Sequence, residues 1–199
     1  MSSPDFFREH GFFIETQFLD AAACARIRGD VREGNTEKCL LIKESSSEEV
    51  LDEDHRRSLK VLVKEPAETM VADKLRAFKL RLEKHFALSL KDLQKPNFLR
   101  YVSGSFCKPH RDAVGEAAAK LPVTTIIFLN APSMPSPADG FEGGSLHFYG
   151  LLDGPAWEGC SSSLDYGPGM LVAFRSNIVH EVRPVTSGER FTIVAWFKG

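Results

Sequence analysis

Two histidines and an aspartate in the second half of the chain have the spacing of a metal site. His110 and Asp112 form an H-x-D sequence, and side chains at positions i and i+2 of a β-strand leave the same face. In a second strand candidate, His180 shares an apolar face with Ile178 and Val182. Two imidazoles and one carboxylate that face inward from strands form the triad that holds non-haem Fe(II) with open positions. The pattern therefore predicts that His110, Asp112 and His180 bind iron.

Each of these residues also has a simpler structural interpretation. An isolated H-x-D sequence is more often a surface ion pair or a turn, and a histidine on an apolar face is more often a hydrogen-bonded core residue. His147, which alternates with apolar neighbours, is either a pocket or a surface residue, and it becomes a candidate ligand only if His110 is not one. The conjunction of all three residues with a later arginine favours the metal site.

That arginine begins the last strand candidate, residues 190–197, which has two different faces. The apolar face, predicted to pack on the helices, consists of Phe191, Ile193, Ala195 and Phe197. The opposite face, predicted to point between the sheets, consists of Arg190, Thr192, Val194 and Trp196. A guanidinium inside a protein needs an anion because it does not deprotonate. The anion for Arg190 is either an internal carboxylate, such as Asp112 or Glu142, or the far carboxylate of a dicarboxylate that chelates the iron. An equally simple structural interpretation is that Arg190, at the start of its strand, lies at the rim of the sheet.

The elements that must position these residues change character along the chain. Asp20 is a predicted N-cap for a helix over residues 21–31, and residues 68–86 have the apolar spacing of an amphipathic helix. The strand candidates are residues 12–14, 39–43, 59–63, 98–102, 123–130, 145–149, 170–174, 178–182 and 190–197. Helices first and strands later predict one α+β domain over residues 1–199, with helical support at 1–95 and a catalytic β-half at 96–199.

Two polar segments between these elements are candidate substrate-gripping loops. Residues 44–58 are highly charged and form either a solvated loop or a flap over a site. Residues 131–140 form an insertion rich in proline and glycine.

Composition narrows the class of protein. The 199 residues carry a formal net charge of −2, which argues against a strongly basic nucleic-acid binder. No apolar run reaches membrane-spanning length, and no signal peptide is visible at the N-terminus. The four cysteines contain no C-x-x-C pair, which argues against a zinc ribbon or a disulfide scaffold. We therefore expect a cytoplasmic protein without nucleic-acid or membrane partners. The 15 phenylalanines either fill the core or line a dry pocket.

Several motifs resemble one enzyme family. Residues 100–112 match a pattern of Tyr, Gly, an aromatic residue and H-x-D, and residues 142–146 carry an acidic-Gly-Gly sequence. Residues 169–174, followed by 180–185 and 190–197, are the most specific part. Over residues 98–199 the chain resembles the 2-oxoglutarate- and Fe(II)-dependent dioxygenases, and among them the prolyl 4-hydroxylase branch, including the oxygen-sensing prolyl hydroxylases.

This resemblance implies a double-stranded β-helix, a distorted jelly roll of the cupin type, buttressed by the N-terminal helices. It implies that Arg190 binds the distal carboxylate of 2-oxoglutarate, that Tyr101 and Thr192 line the co-substrate pocket, and that Trp196 lies beside it. One position departs from the family pattern. Phe128 stands where oxygen-sensing relatives have a tyrosine that bonds the same carboxylate, which shifts that role onto Arg190, with Thr192 or Tyr101 as helpers.

The implied activity is hydroxylation of a C–H bond, with 2-oxoglutarate and O₂ as co-substrates and ascorbate as a reductant. A prolyl residue in a protein or peptide is the expected substrate. The same iron site also fits a hydroxylase of a free amino acid or other small metabolite. A non-catalytic cupin-like metal- or ligand-binding protein is the alternative from a different class.

Overall fold

The computed structural model describes residues 2–39, 41–42, 49–132, 139–152, 154, 157 and 159–199. Its helices are α1 (Pro4–Glu9), α2 (Ala21–Glu33), α3 (Ala67–Phe86) and α4 (Gly115–Lys120). Its strands are β1 (Phe13–Glu15), β2 (Asn35–Lys38), β3 (Leu41–Ile42), β4 (Glu49–Val50), β5 (Arg56–Arg57), β6 (Leu59–Leu62), β7 (Asn97–Tyr101), β8 (Phe106–His110), β9 (Val123–Phe128), β10 (Phe141–Gly143), β11 (Leu146–Tyr149), β12 (Ser161–Ser163), β13 (Leu171–Arg175), β14 (His180–Val182), β15 (Val185–Gly188) and β16 (Arg190–Phe197).

Two antiparallel sheets enclose the interior of the protein. The larger has the order β1-β13-β9-β16-β7-β6-β2 and the smaller the order β12-β11-β14-β8-β5. One apolar cluster contains buried residues of both sheets, including Leu99 and Phe128 from the larger sheet and Leu146 and Val182 from the smaller. This arrangement confirms the predicted double-stranded β-helix.

A second apolar cluster lies on the outer face of the larger sheet, where helices cover it. Ile27 of α2 and Leu75 of α3 pack there with Phe191 and Ile193 of β16. The prediction that one face of β16 packs on the helices is therefore confirmed. The even-numbered positions of β16 turn the other way, toward the space between the sheets.

The helix predictions hold because their signals are local. The Asp20 carboxylate accepts a hydrogen bond from the backbone N–H of Ala23 at 2.7 Å, as an N-cap does. Helix α2 extends two residues beyond the expected end, and α3 begins one residue earlier than expected. None of the helices in the described part of the chain combines the length and the apolar character that crossing a membrane requires.

The strand predictions in the N-terminal half are less accurate. The strand expected at residues 39–43 is confirmed in part: β3 covers Leu41–Ile42, residue 39 lies outside a strand, and residues 40 and 43 are outside the described part of the chain. The strand that pairs with β6 is β2, at Asn35–Lys38. All four residues of β2 are exposed at the sheet edge, so no apolar alternation marks it. Within the expected loop 44–58, β5 pairs with β8. Residues 44–48 of that loop and 133–138 of the insertion lie outside the described residues.

Candidate metal centre

The three candidate metal ligands converge between the sheets. His110 ends β8 and His180 begins β14, and the two residues are register partners across these strands. Nε2 of His110 lies 3.6 Å from Oδ1 of Asp112, and Nε2 of His180 lies 3.8 Å from Oδ2 of the same carboxylate. Because one ligand atom from each residue lies within 4.8 Å of the other two, a single ion can contact all three.

Asp112 reaches the centre by a different route from the one that its spacing suggested. Strand β8 ends at His110, and Asp112 lies in a bend where its backbone N–H donates to the carbonyl of Ser176 at 3.0 Å. The Thr124 hydroxyl donates to Oδ2 of Asp112 at 2.7 Å and lies 2.9 Å from the Ser176 hydroxyl. These bonds, rather than a strand, fix the orientation of the carboxylate.

Backbone carbonyls set the tautomer of both histidines. Nδ1 of His110 lies 2.9 Å from the carbonyl of Lys108, and Nδ1 of His180 lies 3.0 Å from the carbonyl of Ile178. A carbonyl only accepts hydrogen bonds, so each Nδ1 carries a proton. In the neutral rings this leaves the Nε2 lone pairs directed at Asp112, as metal ligation requires.

The electrostatics of the centre favour a bound cation. Burial, together with the charge of His110, lowers the pKa of His180 to about 4 and keeps that imidazole neutral. Burial opposes ionisation of Asp112, but His180 and His110 hold its pKa well below the usual range. Burial also opposes protonation of His110, yet Asp112 and Cys107 raise its pKa to about 10. A metal ion and a proton therefore compete for the His110 nitrogen beside the carboxylate.

A buried arginine lies in the same interior. Arg190 is 1% exposed, and its guanidinium carbon lies 5.0 Å from the ring centre of Tyr101 and 5.8 Å from that of Phe128. Within the described part of the chain, no carboxylate forms an ion pair with Arg190, so neither Asp112 nor Glu142 is its partner. An aromatic surround without an anion leaves room for the carboxylate of a ligand.

A family model described as the 2OG-Fe(II) oxygenase superfamily matches residues 96–198. The chain belongs to this superfamily. Fe(II) and 2-oxoglutarate follow from this membership, and the predicted class, a 2-oxoglutarate-dependent dioxygenase, is confirmed at the level of the family. The donor set of two imidazoles and a carboxylate fits Fe(II), and the buried Arg190 guanidinium fits the distal carboxylate of 2-oxoglutarate.

Known proteins resemble this oxygenase in sequence and in fold. A PKHD-type hydroxylase of Maricaulis maris (strain MCS10) is 29% identical over 99 residues, which are 50% of this chain and 39% of that protein. The chain thus aligns with well under two thirds of this curated relative.

Solved structures cover nearly the whole oxygenase. A Pseudomonas putida prolyl-4-hydroxylase superposes with a TM-score of 0.69 and 22% identity over 98% of this chain and 95% of that one. A Trichoplax adhaerens prolyl hydroxylase, in complex with a hypoxia inducible factor peptide fragment, gives a TM-score of 0.75 and 19% identity over 98% and 86%. At these identities the likeness establishes a shared fold.

One residue of the oxygenase pocket escaped the sequence analysis. The ring of Tyr166 stacks on that of Phe128, and its hydroxyl accepts a hydrogen bond from Nε–H of Arg190 at 3.3 Å. Tyr166 precedes β13 in a segment without secondary-structure periodicity, so no local signal identifies it. It supplies a phenolic hydroxyl beside Arg190, the group that Phe128 lacks.

The other predicted pocket residues face the same interior. Thr192 is buried and is the register partner of Phe128, and Trp196 is the register partner of Thr124. The indole Nε1–H of Trp196 is buried, and no described residue accepts its hydrogen bond. A buried donor without a partner fits a site where a ligand supplies the acceptor.

The acidic-Gly-Gly motif makes room for Arg190. Gly144 has a φ of +60°, and a Cβ atom there would lie 3.1 Å from Cδ of Arg190 and 2.9 Å from a methyl group of Val185. Any larger residue would therefore be strained and would press on the arginine side chain.

Phenylalanines form an apolar wall behind His180. The ring centre of His180 lies 5.0 Å from that of Phe174 and 6.0 Å from that of Phe148. Phe7 and Phe12 pack against Phe148 in turn. These buried rings account for part of the phenylalanine excess and keep water from this side of the centre.

His147 lies outside the metal centre. Its Nε2 lies 3.0 Å from the Ser145 hydroxyl and its Nδ1 lies 2.9 Å from the Ser161 hydroxyl. It is thus a hydrogen-bonded residue of β11. His110, not His147, lies with Asp112 and His180.

Proposed function

We propose that this chain is an Fe(II)- and 2-oxoglutarate-dependent hydroxylase that acts on a prolyl residue in a protein or peptide. One observation carries the proposal: the donor atoms of His110, Asp112 and His180 converge in the same interior as Arg190, a buried guanidinium without a carboxylate partner in the described part of the chain. A non-catalytic binding protein would need neither an incomplete ligand set nor a second, separate anion pocket.

His110, Asp112 and His180 would hold the iron. When bound, Fe(II) supplies the O₂ chemistry that couples oxidative decarboxylation of 2-oxoglutarate to hydroxylation of a C–H bond. Thr124 holds the Asp112 carboxylate in place, and the backbone carbonyls of residues 108 and 178 hold the two imidazoles. The chain would thus supply three ligands to the ion, and a site with this donor set keeps coordination positions available for co-substrate.

Arg190 would bind the distal carboxylate of 2-oxoglutarate, with Tyr166 as the neighbouring hydroxyl. The carboxylate neutralises a guanidinium that burial otherwise leaves uncompensated. Tyr101 and Thr192 would line the same pocket, and Trp196 would lie beside the co-substrate with its indole N–H as a free donor. Ascorbate as a reductant and a cytoplasmic location remain predictions.

A surface groove beside the site supports a peptide substrate. A cavity of about 240 Å³ runs between β5 and residues 102–105, and its lining includes Arg56, Ser58 and Leu59. The Trichoplax relative in complex with a peptide fragment adds support from a protein of the same fold. We further propose that residues 1–199 act as one domain, since β1, β2 and β6 of the N-terminal half extend the sheet that contains β16.

Anaerobic titration with Fe(II) and 2-oxoglutarate tests the co-substrate site. The chelate is expected to give its weak visible charge-transfer band in the wild-type protein. His180→Ala should abolish the band, and Arg190→Ala should shift its appearance to higher 2-oxoglutarate concentrations. A missing wild-type band, or a band unchanged in both variants, would contradict the proposal.

Succinate release tests the substrate class. Proline-containing peptides should stimulate release of succinate under aerobic conditions, whereas free proline should not. Stimulation by free proline or another amino acid alone would instead identify the small-metabolite hydroxylase.

A further inference from the structure

A second arginine, Arg56, points into the interior from the edge of the smaller sheet. In the antiparallel pair of β5 and β8, Arg56 lies opposite Cys107, and Cys107 lies opposite Val182 of β14. Directly opposed residues of antiparallel strands point to the same face. Cys107 and Val182 are both buried between the two sheets, so Arg56 lies on the inner face.

The neighbour Arg57 lies on the outer face of the same sheet. Arg57 is opposite Phe106, its guanidinium carbon lies 5.6 Å from the centre of that ring, and its Nε donates to the carbonyl of Glu53 at 3.1 Å. The two arginines therefore have the same charge and adjacent positions but face opposite sides of the sheet.

The guanidinium of Arg56 has no anionic partner in the described part of the chain. Its Nε donates to the Ser58 hydroxyl at 2.8 Å. No described carboxylate forms an ion pair with it, and its terminal nitrogens have no other hydrogen-bond acceptor among the described residues. A half-buried cation that cannot deprotonate is costly unless an anion compensates it.

Arg56 lies near the metal centre, because it is opposite Cys107, whose Sγ lies 3.5 Å from Nδ1 of His110. Its charge acts on Tyr101, Cys107 and Asp112, and on His180. Tyr101 experiences the charges of both Arg56 and Arg190. The interior thus contains two separate guanidinium groups, one from each sheet.

The groove that contains Arg56 is positively charged. Its described lining includes Lys38, Arg56 and Arg57 and one carboxylate, that of Glu53, which pairs with Lys38 at 3.0 Å. Arg56 both lines this groove and lies on the inner face of the smaller sheet, so its guanidinium is within reach of a substrate in the groove.

We propose that Arg56 binds a carboxylate of the primary substrate, so that the target proline lies beside an acidic group. This inference rests on the proposed function, in which Arg190 takes the distal carboxylate of 2-oxoglutarate and Arg56 is left for the second reactant. Because Arg56 lies opposite Cys107, whose Sγ lies 3.5 Å from Nδ1 of His110, the carboxylate belongs close to the C–H bond that reacts.

Binding of matched peptides tests the role of Arg56. The probes are fluorescein-labelled nonapeptides with one proline and an aspartate at each neighbouring position in turn, each compared with its asparagine twin. Anisotropy is measured with the protein loaded with Mn(II) and 2-oxoglutarate, which prevents turnover. The best aspartate peptide should bind the wild-type protein roughly tenfold more tightly than its twin, the scale of a charge-assisted hydrogen bond. Arg56→Gln should remove this preference, and Arg56→Lys should retain part of it. Arg76→Gln is the control, because Arg76 is an exposed arginine of α3 outside the groove lining, and it should leave the preference intact.

Two further arms separate the possible origins of the effect. Unlabelled free proline and prolinamide, used as competitors, distinguish a substrate α-carboxylate from a side-chain carboxylate: preferential competition by proline that Arg56→Gln abolishes would support the α-carboxylate. Isothermal titration with 2-oxoglutarate should give the same Kd for wild type and Arg56→Gln. A weaker Kd in the variant would assign Arg56 to the co-substrate and overturn the inference, as would the absence of any Arg56-dependent preference in both peptide and amino-acid arms.

The inference and the proposed function fail in different measurements. Loss of all 2-oxoglutarate-dependent succinate release from the wild-type protein would contradict the function, whereas the anisotropy preference would still test Arg56. Normal succinate release, with no Arg56-dependent preference for aspartate peptides or for free proline, would contradict the inference alone.

Discussion

The ring of Tyr166 stacks on the ring of Phe128, with the ring centres 3.7 Å apart and the planes inclined by 15°. This contact places the Tyr166 hydroxyl at the Nε–H of Arg190, 3.3 Å away. A phenylalanine at position 128 therefore does not leave the arginine without a phenolic neighbour. A tyrosine from a distant loop takes a position above the phenylalanine and provides the hydroxyl.

Removing this hydroxyl should weaken co-substrate binding. We expect Tyr166→Phe to raise the Kd for 2-oxoglutarate about tenfold, because a hydrogen bond to a charged group contributes about 1.5–3 kcal/mol. Isothermal titration of the Mn(II)-loaded protein measures the change. Adding Phe128→Tyr to this variant should restore part of the affinity, and an unchanged Kd in Tyr166→Phe would show that the hydroxyl does not contact the co-substrate.

The hydroxyl of Thr124 should strengthen metal binding through Asp112. We expect Thr124→Val to lower metal affinity about 10- to 100-fold, since partners that orient a ligand typically contribute that much. Equilibrium dialysis with Fe(II) under argon measures it. Thr125→Val is the matched control, because the Thr125 hydroxyl donates to the carbonyl of Ala195 and not to a ligand. Equal losses in the two variants would assign the effect to β9 as a whole.

The face of β16 that packs on the helices should contribute strongly to the free energy of unfolding. Phe191 is fully buried in the cluster shared with α2 and α3. We expect Phe191→Ala to lower the free energy of unfolding by about 3–5 kcal/mol through lost burial and an unfilled cavity. Leu80→Ala, at a side chain 75% exposed on α3, should change it by less than about 0.5 kcal/mol. Urea denaturation followed by circular dichroism compares the two, and similar losses would refute this packing account.

The cysteines should differ sharply in reactivity. Burial raises the pKa of the Cys24 thiol to about 11, whereas Cys160 is exposed. A raised pKa keeps the thiol protonated, so at pH 8 roughly one Cys24 in a thousand is the reactive thiolate. Iodoacetamide at pH 8 should therefore label Cys160 within the native protein and leave Cys24 unlabelled until the chain is unfolded. Peptide mass spectrometry reads both positions, and rapid native labelling of Cys24 would contradict its burial.

Much of the site was accessible from the sequence because its signals are short-range. The H-x-D spacing, the alternation around His180 and the two faces of residues 190–197 depend on neighbours within one strand. The structure brings the three predicted ligands, His110, Asp112 and His180, together. Strand alternation alone does not position Asp112, since this residue lies beyond the end of β8 and is held by Thr124 and Ser176.

Other features carried no local signal. The edge strand β2 is polar and exposed on every residue, so it resembles a loop in sequence. Arg56 and Arg57 follow a run of acidic residues and resembled part of a solvated segment. Only their pairing with β8 assigns one arginine to the inner face and the other to the outer face.

By itself, the sequence determined the iron-ligand candidates, the arginine opposite them, the β-rich class and the family resemblance, because periodicity and short motifs record which face each side chain occupies. The tertiary structure decided which distant residues meet. Tyr166 reaches Arg190 across 24 positions of the chain, and Arg56 joins the interior through the register of β5 with β8. Such contacts arise from the packing of whole sheets against one another, and no pattern within a single segment encodes them.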